Sequence, residues 1–166
     1  MSKPEKFPKQ DQNLPGSEKE MNPQPEIIRA NYKGSEKLKN KIALITGGDS
    51  GIGRSVAVHF AKEGASVAII YKSESEDAAY TKELVEKEGQ KCLLFEGDVK
   101  DETFCVESVK QTIAQFGHIN ILVNNAAVQF PKSTVADLSI SEIKEKFETN
   151  IFPYFYFVKA LEDQFK

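Results

Sequence analysis

"LITGGDSGIGRSVA" (residues 44–57) gathers four glycines and a threonine between one apolar run and a second, periodic one. Upstream, "KIALIT" (41–46) is apolar and β-branched, the composition of a buried strand. Downstream, Ile52, Val56 and Phe60 recur at i, i+4 and i+8 and so share one helical face. Gly64 stands where a helix C-cap glycine belongs. A flexible junction between strand and helix suits one task well. The first turn of the helix carries unpaired N–H groups and the positive end of the helix dipole, which attract an anion. Residues without a Cβ let the main chain approach a diphosphate closely. Gly47, Gly51 and Gly53 provide such positions, and Thr46 is placed to hold the turn by a local hydrogen bond. Glycine spacing alone is a weak signal, but a strand before it and a helix after it supply the required context.

The alternation continues along the chain. "SVAIIY" (66–71), "KCLLFEGDV" (91–99) and "INILVNNAA" (119–127) read as strands, the last an unbroken apolar run suited to burial on both faces. Between them, 77–89 and 101–117 read as helices, the second started by Asp101 and ended by Gly117. Strand and helix in turn, joined by short connections, define a doubly wound, Rossmann-type parallel α/β sheet over residues 41–166. The segment 139–166 opens with a capping box, Ser139-x-x-Glu142, and is expected to be helical. Its stretch "IFPYFYFV" is apolar on every side, so burial all round is expected, in part against a second copy of the chain. Pro153 should bend that helix about one turn earlier, beside Asn150.

Residues 1–40 differ in kind. They hold five of the seven prolines among Lys, Glu, Gln and Asn, so a flexible arm is expected, with Ile27, Ile28 and Tyr32 as anchors if it docks on a neighbouring subunit. The formal net charge of −3 argues against a nucleic-acid surface, and no apolar run is long enough to span a bilayer. Cys92 and Cys105 are the only cysteines and read as reduced thiols, which together with the lack of a secretory signal makes a cytoplasmic setting the expectation. His59 and His118 have no metal-ligand or triad partner at a recognisable spacing, so no metal is expected.

"TGGDSGIG" (46–53), "GDV" (97–99), "NNAA" (124–127) and Asn150 in "TNIF" occur in an order and at separations that together resemble the N-terminal half of a short-chain dehydrogenase/reductase. The proline-rich leader and "TGGDSGIGR" further resemble the bacterial general-stress-type oxidoreductases of that family. The resemblance implies an NAD(P)-dependent oxidoreductase acting on a carbonyl or alcohol. It assigns Gly47, Gly51, Ile52 and Gly53 to the pyrophosphate, and Asp49 and Ser50 to the turn near the adenosine ribose. Asp98 and Val99 fall to the adenine. Of Asn124 and Asn125, one ties strands together and the other lies near the cofactor ribose, followed by Ala126 and by Ala127 where the family usually has glycine. Asn150 matches the catalytic asparagine that holds a water in a proton relay. Family members are commonly oligomers joined through their long helices, so a homo-oligomer through the last helix is implied.

Two points stay open in the sequence. NAD-binding folds place an acid at the end of the second strand, whereas this chain has Tyr71, Lys72 and Ser73, followed by Glu74, Glu76 and Asp77. Lys72 and Ser73 could receive a 2′-phosphate while the acids repel it, so the reading is NADP or NAD and leans toward NADP. The family's general acid is a tyrosine with a lysine four residues later, together with a serine. Tyr32, Tyr71, Tyr80, Tyr154 and Tyr156 all lack that lysine. The expectation is therefore a sheet truncated after the fourth strand and the helix that follows, in a chain without turnover of its own. The alternative is a non-catalytic dinucleotide-binding fragment or subunit-interaction module. A methyltransferase-type fold is disfavoured by the glycine spacing and by the absence of an acid at Tyr71.

Overall fold

The computed structural model describes residues 18–164, so most of the first half of the expected arm (1–17) and the last two residues lie outside it. Its strands are β1 (Ile42–Thr46), β2 (Ser66–Tyr71), β3 (Cys92–Glu96) and β4 (Ile121–Val123). The α-helices are α1 (Gly51–Lys62), α2 (Ser75–Lys87), α3 (Glu102–Phe116), α4 (Ile140–Asn150) and α5 (Phe152–Ala160). All strand pairs are parallel, in the order β3-β2-β1-β4. The doubly wound sheet read from the sequence is the observed architecture.

Strand alternation divides the core in two. Ala43, Ile45, Val67 and Ile69 face Ala57 and Ala61 of α1 and Val85 of α2. Leu44, Ala68 and Ile70 face the opposite way, toward Cys105 and Val109 of α3 and toward Phe157 and Leu161 in and just after α5. Helices on both faces explain why β1 and β2 are apolar at nearly every position. Asp101 caps α3 as expected, its carboxylate accepting from the Thr103 and Phe104 amides. Both cysteines are buried and unpaired, and burial pushes each thiol up to about 12. Among the described residues no helix is long and apolar enough to cross a membrane.

Three features read from the sequence take a more exact form. β4 is only half-buried, because it is the sheet edge and has a neighbour on one side alone. The last helix is two helices, broken at Ile151 (φ −122°, ψ −56°), two residues before Pro153, which occupies the first turn of α5 where its missing N–H is tolerated. Within a single copy of the chain the aromatic run is buried on one side. Pro153 and Phe157 are buried, whereas Phe152, Tyr154, Phe155 and Val158 are exposed.

The described part of the arm makes specific contacts with its own chain. Ser55 Oγ donates to the Ile27 carbonyl (2.8 Å), and Tyr32 packs edge-on against His59. Glu63, just past α1, accepts from the Tyr32 hydroxyl, the Ser35 amide (2.9 Å) and the Lys37 amide (3.1 Å). Tyr32 is thus anchored to its own chain. These donors hold the Glu63 carboxyl at about 2, against an ordinary 4.5, with the Tyr32 hydroxyl the largest cause. A depressed carboxyl pKa stabilises the clasp fully above the ordinary value, and that contribution is lost as pH falls from 4.5 through about 2. The Ser35 and Lys37 amides are expected to lose hydrogen-exchange protection, relative to β1 and β2 amides, over that window. In Glu63→Gln they should have lost it already at neutral pH, and full protection in that variant would refute the clasp.

Candidate dinucleotide site

In a sheet ordered β3-β2-β1-β4 the chain leaves β1 toward β2 and β3 on one side and returns to pair β4 on the other. The carboxyl ends of β1 and β4 therefore flank a topological switch point, where such folds form a ligand crevice. A cavity of about 290 Å³ opens there. The loop after β1 contributes Gly47, Asp49 and Ser50, and the end of β2 contributes Tyr71, Lys72 and Glu74. Gly97, Asp98 and Val99 follow from β3, and Asn125, Ala126, Ala127 and Val128 from the loop after β4. Thr149 of α4 completes the wall.

Ten of the expected site residues thus share one cavity. Ile70, Glu74, Gly97, Val128 and Thr149 complete the lining, and among them Glu74 had figured only as a repelling charge. Gly51, Ile52 and Gly53 form the start of α1 beside the cavity rather than its wall. Ser73, Asn124 and Asn150 are likewise outside the lining.

Hydrogen bonds explain how the turn is held. Thr46 does more than brace its own turn. Its Oγ1 accepts from the Asn125 amide (2.9 Å) and the Ala126 amide (3.0 Å), fastening the loop after β4 to the end of β1. Asn125 Nδ2 donates back to the Thr46 carbonyl (3.0 Å) and the Gly47 carbonyl (2.8 Å), so Asn125 is the asparagine that ties strands together. Asn150 joins the same loop to α4: its Oδ1 accepts from Val128 N (2.8 Å) and its Nδ2 donates to Val128 O (2.9 Å). These two bonds use one of the two donor hydrogens and one of the two lone pairs of the Asn150 side-chain amide.

Arg54 was not singled out in the sequence. It is 3% exposed on the second turn of α1, and donates to the Asp49 carbonyl through Nε (3.0 Å) and Nη2 (2.6 Å) and to Thr81 Oγ1 (2.9 Å). It pairs with Asp77 (3.2 Å) and with Glu18 of the arm, whose other oxygen accepts from the Gly51 amide (2.8 Å). A buried cation surrounded by acceptors fixes the Asp49 carbonyl and with it the shape of the turn.

At the β2 end both side chains considered for a 2′-phosphate have partners. Lys72 Nζ is paired with Asp98 Oδ2 (2.9 Å), and the Ser73 hydroxyl donates to Glu74 (2.9 Å). Burial raises the Asp98 carboxyl, but the Lys100 amide together with Lys72 and Lys100 holds it below the usual range. Asp49 is pushed up, by burial first, with Glu74 and Asp77 adding to it.

The residues present fit an adenine dinucleotide. Thr149 Oγ1 and Asn124 Oδ1 are buried without a hydrogen-bond partner among the described residues, and Thr149 faces the cavity. At Gly47 a Cβ would stand 3.0 Å from both Ala126 Cα and Asn125 Nδ2, so the close approach of the two loops requires its absence.

A glycine turn at the switch point of a parallel sheet defines an α/β nucleotide-binding domain. Residues 41–166 match the short chain dehydrogenase family model, and the chain belongs to that family. Its relatives include general stress protein 39 of Bacillus subtilis (strain 168), 51% identical over 164 residues that make up 98% of this chain and 57% of that protein. Among solved structures, a short chain dehydrogenase from Burkholderia cenocepacia J2315 in complex with NADP superposes with a TM-score of 0.72 at 30% identity, covering 77% of this chain and 52% of the other. Carveol dehydrogenase from Mycobacterium avium in complex with NAD does so with a TM-score of 0.72 at 27% identity, covering 76% and 50%. The chain therefore spans about half the length of the relatives it matches.

Proposed function

We propose that this chain binds NAD or NADP in the crevice at the switch point and serves the interconversion of a carbonyl and an alcohol. The observation that carries this reading is the convergence of the glycine turn, the β2 end and the loop after β4 on one cavity. In that reading the N–H groups at the start of α1 hold the diphosphate, which takes the place of the Glu18 carboxylate now on the Gly51 amide. Gly97, Asp98 and Val99 lie against the base. Thr149 Oγ1 offers an otherwise unused hydroxyl. The dinucleotide, when bound, supplies or takes up the hydride; the protein residues hold and orient it. The expected homo-oligomer would form through the exposed side of α5, where Phe152, Phe155 and Val158 stand.

A second reading, a dinucleotide-binding module without turnover of its own, is favoured by the spacing around the tyrosines: none of Tyr32, Tyr71, Tyr80, Tyr154 and Tyr156 has a lysine four residues later to lower its pKa. Titration of the chain with NADH and NADPH, followed by nicotinamide fluorescence, tests the shared premise. Saturable binding with micromolar to sub-millimolar Kd is the expected result, and no binding of either at about 1 mM would end both readings. Cofactor oxidation against a panel of aldehydes and ketones then separates them.

A further inference from the structure

At the end of β2 the charges decide which dinucleotide the cavity admits. NAD and NADP differ only in a phosphate at the adenosine 2′ position, which brings a charge of about −2 near neutral pH. In doubly wound folds that position lies at the carboxyl end of the second strand, here Tyr71, Lys72 and Ser73. The lining of the cavity carries three carboxylates, Asp49, Glu74 and Asp98, against a single ammonium, Lys72.

The donors that could receive a phosphate are engaged. Lys72 is bound to Asp98 at 2.9 Å. The Ser73 hydroxyl and amide both donate to Glu74, at 2.9 and 3.3 Å. Lys100 also turns toward Asp98 and Glu145, at 3.7 and 3.5 Å. Arg54, the nearest guanidinium, is held by Glu18, Asp77 and the Asp49 carbonyl. A 2′-phosphate would have to share these donors with the carboxylates they already serve and then sit beside Asp49 and Glu74. A ribose 2′-hydroxyl faces no such cost, since it can donate to either carboxylate.

We infer that the site selects NAD over NADP, with Asp49 of the glycine turn and Glu74 at the start of α2 as the discriminating carboxylates. This rests on the dinucleotide reading above and deepens it. Burial holds the Asp49 carboxylate in a poorly solvated place where repulsion is weakly screened. Glu74 is the more exposed of the two, so its share falls with added salt.

The test is a pair of titrations, NADH and NADPH, on the whole chain and on Glu74→Gln, Asp49→Asn and Lys72→Met. For the unaltered chain NADH is expected to bind roughly tenfold or more tighter than NADPH. Glu74→Gln, whose side chain borders solvent and whose folding is not at stake, should narrow that ratio by about threefold, mainly by improving NADPH. Asp49→Asn, checked for an unchanged melting temperature, should narrow it further. Lys72→Met should leave the ratio within about twofold, because the ammonium is committed to Asp98. Equal or tighter NADPH binding overturns the inference, as does a Lys72→Met protein that loses NADPH alone, or a ratio untouched by both carboxylate changes. If neither dinucleotide binds the unaltered chain, it is the dinucleotide reading itself that fails.

Discussion

Gly53→Ala weakens dinucleotide binding by roughly a hundredfold, a loss of about 2.7 kcal/mol. The residue sits in the first turn of α1, and a Cβ there would lie 1.9 Å from the Gly47 carbonyl oxygen and 2.7 Å from Asn125 Nδ2. Both atoms belong to the latch between the two loops, since Asn125 Nδ2 donates to that same carbonyl. Neither can retreat alone. The carbonyl is part of a turn that is also pinned at Asp49 by Arg54, and the amide is fixed by its second bond to the Thr46 carbonyl. The methyl must therefore push the glycine turn away from the loop after β4, opening the crevice where its walls meet. Overpacking of this kind costs about 1–3 kcal/mol of stability as well. Gly51→Ala is the control for stability. It lies at φ +54° with no protein atom within 4 Å of the added Cβ, so its cost in folding is backbone strain alone, about 1–2 kcal/mol. Thermal unfolding and NADH titration of the two variants side by side decide the matter. If Gly53→Ala bound as tightly as Gly51→Ala, the close approach of turn and loop would not be what shapes the site.

What the sequence disclosed follows from the range over which its signals act. The β1–turn–α1 unit was legible because strand composition, glycine placement and helical period all lie within about twenty residues, and each is a local property. The order of the motifs, from the glycine turn to Asn150, added the site's other walls. Pairings across the chain were not legible. Glu18 meets Arg54 from 36 positions away, and Tyr32 meets Glu63 from 31, with no period or motif joining them. The proline-rich composition of the arm could not reveal that polar groups of its described part find partners on and just after α1. Lys72 shows the same limit at the site. Beside Ser73 it read as a free cation, and only the fold brings Asp98 within 2.9 Å. The aromatic run shows a further limit: apolarity on every face indicates a demand for burial without naming what supplies it, and within one copy of the chain Pro153 and Phe157 are the buried members of α5 among the described residues.

Thr46 carries the second large effect, and here the two natural substitutions should diverge. Its side chain is 2% exposed, and its Oγ1 accepts from two backbone amides, Asn125 and Ala126, while donating weakly to the Val123 carbonyl at 3.5 Å. Valine has nearly the same volume and would pack well against the end of β1. It offers no acceptor. Two N–H groups would be left in a place with little access to water, at about 1–3 kcal/mol each, so a loss of roughly 2–6 kcal/mol in total is expected for Thr46→Val. Thr46→Ser keeps the hydroxyl and removes one methyl, for about 1 kcal/mol. Urea unfolding should accordingly rank the serine variant well above the valine variant, the reverse of what apolar packing alone would give. Binding should follow the same order, because Asn125 and Ala126 line the cavity and lose their register with β1 only when the acceptor is gone. A valine variant as stable as the serine one would mean that the two amides find other partners, and that the loop after β4 is held to the glycine turn by Asn125 alone.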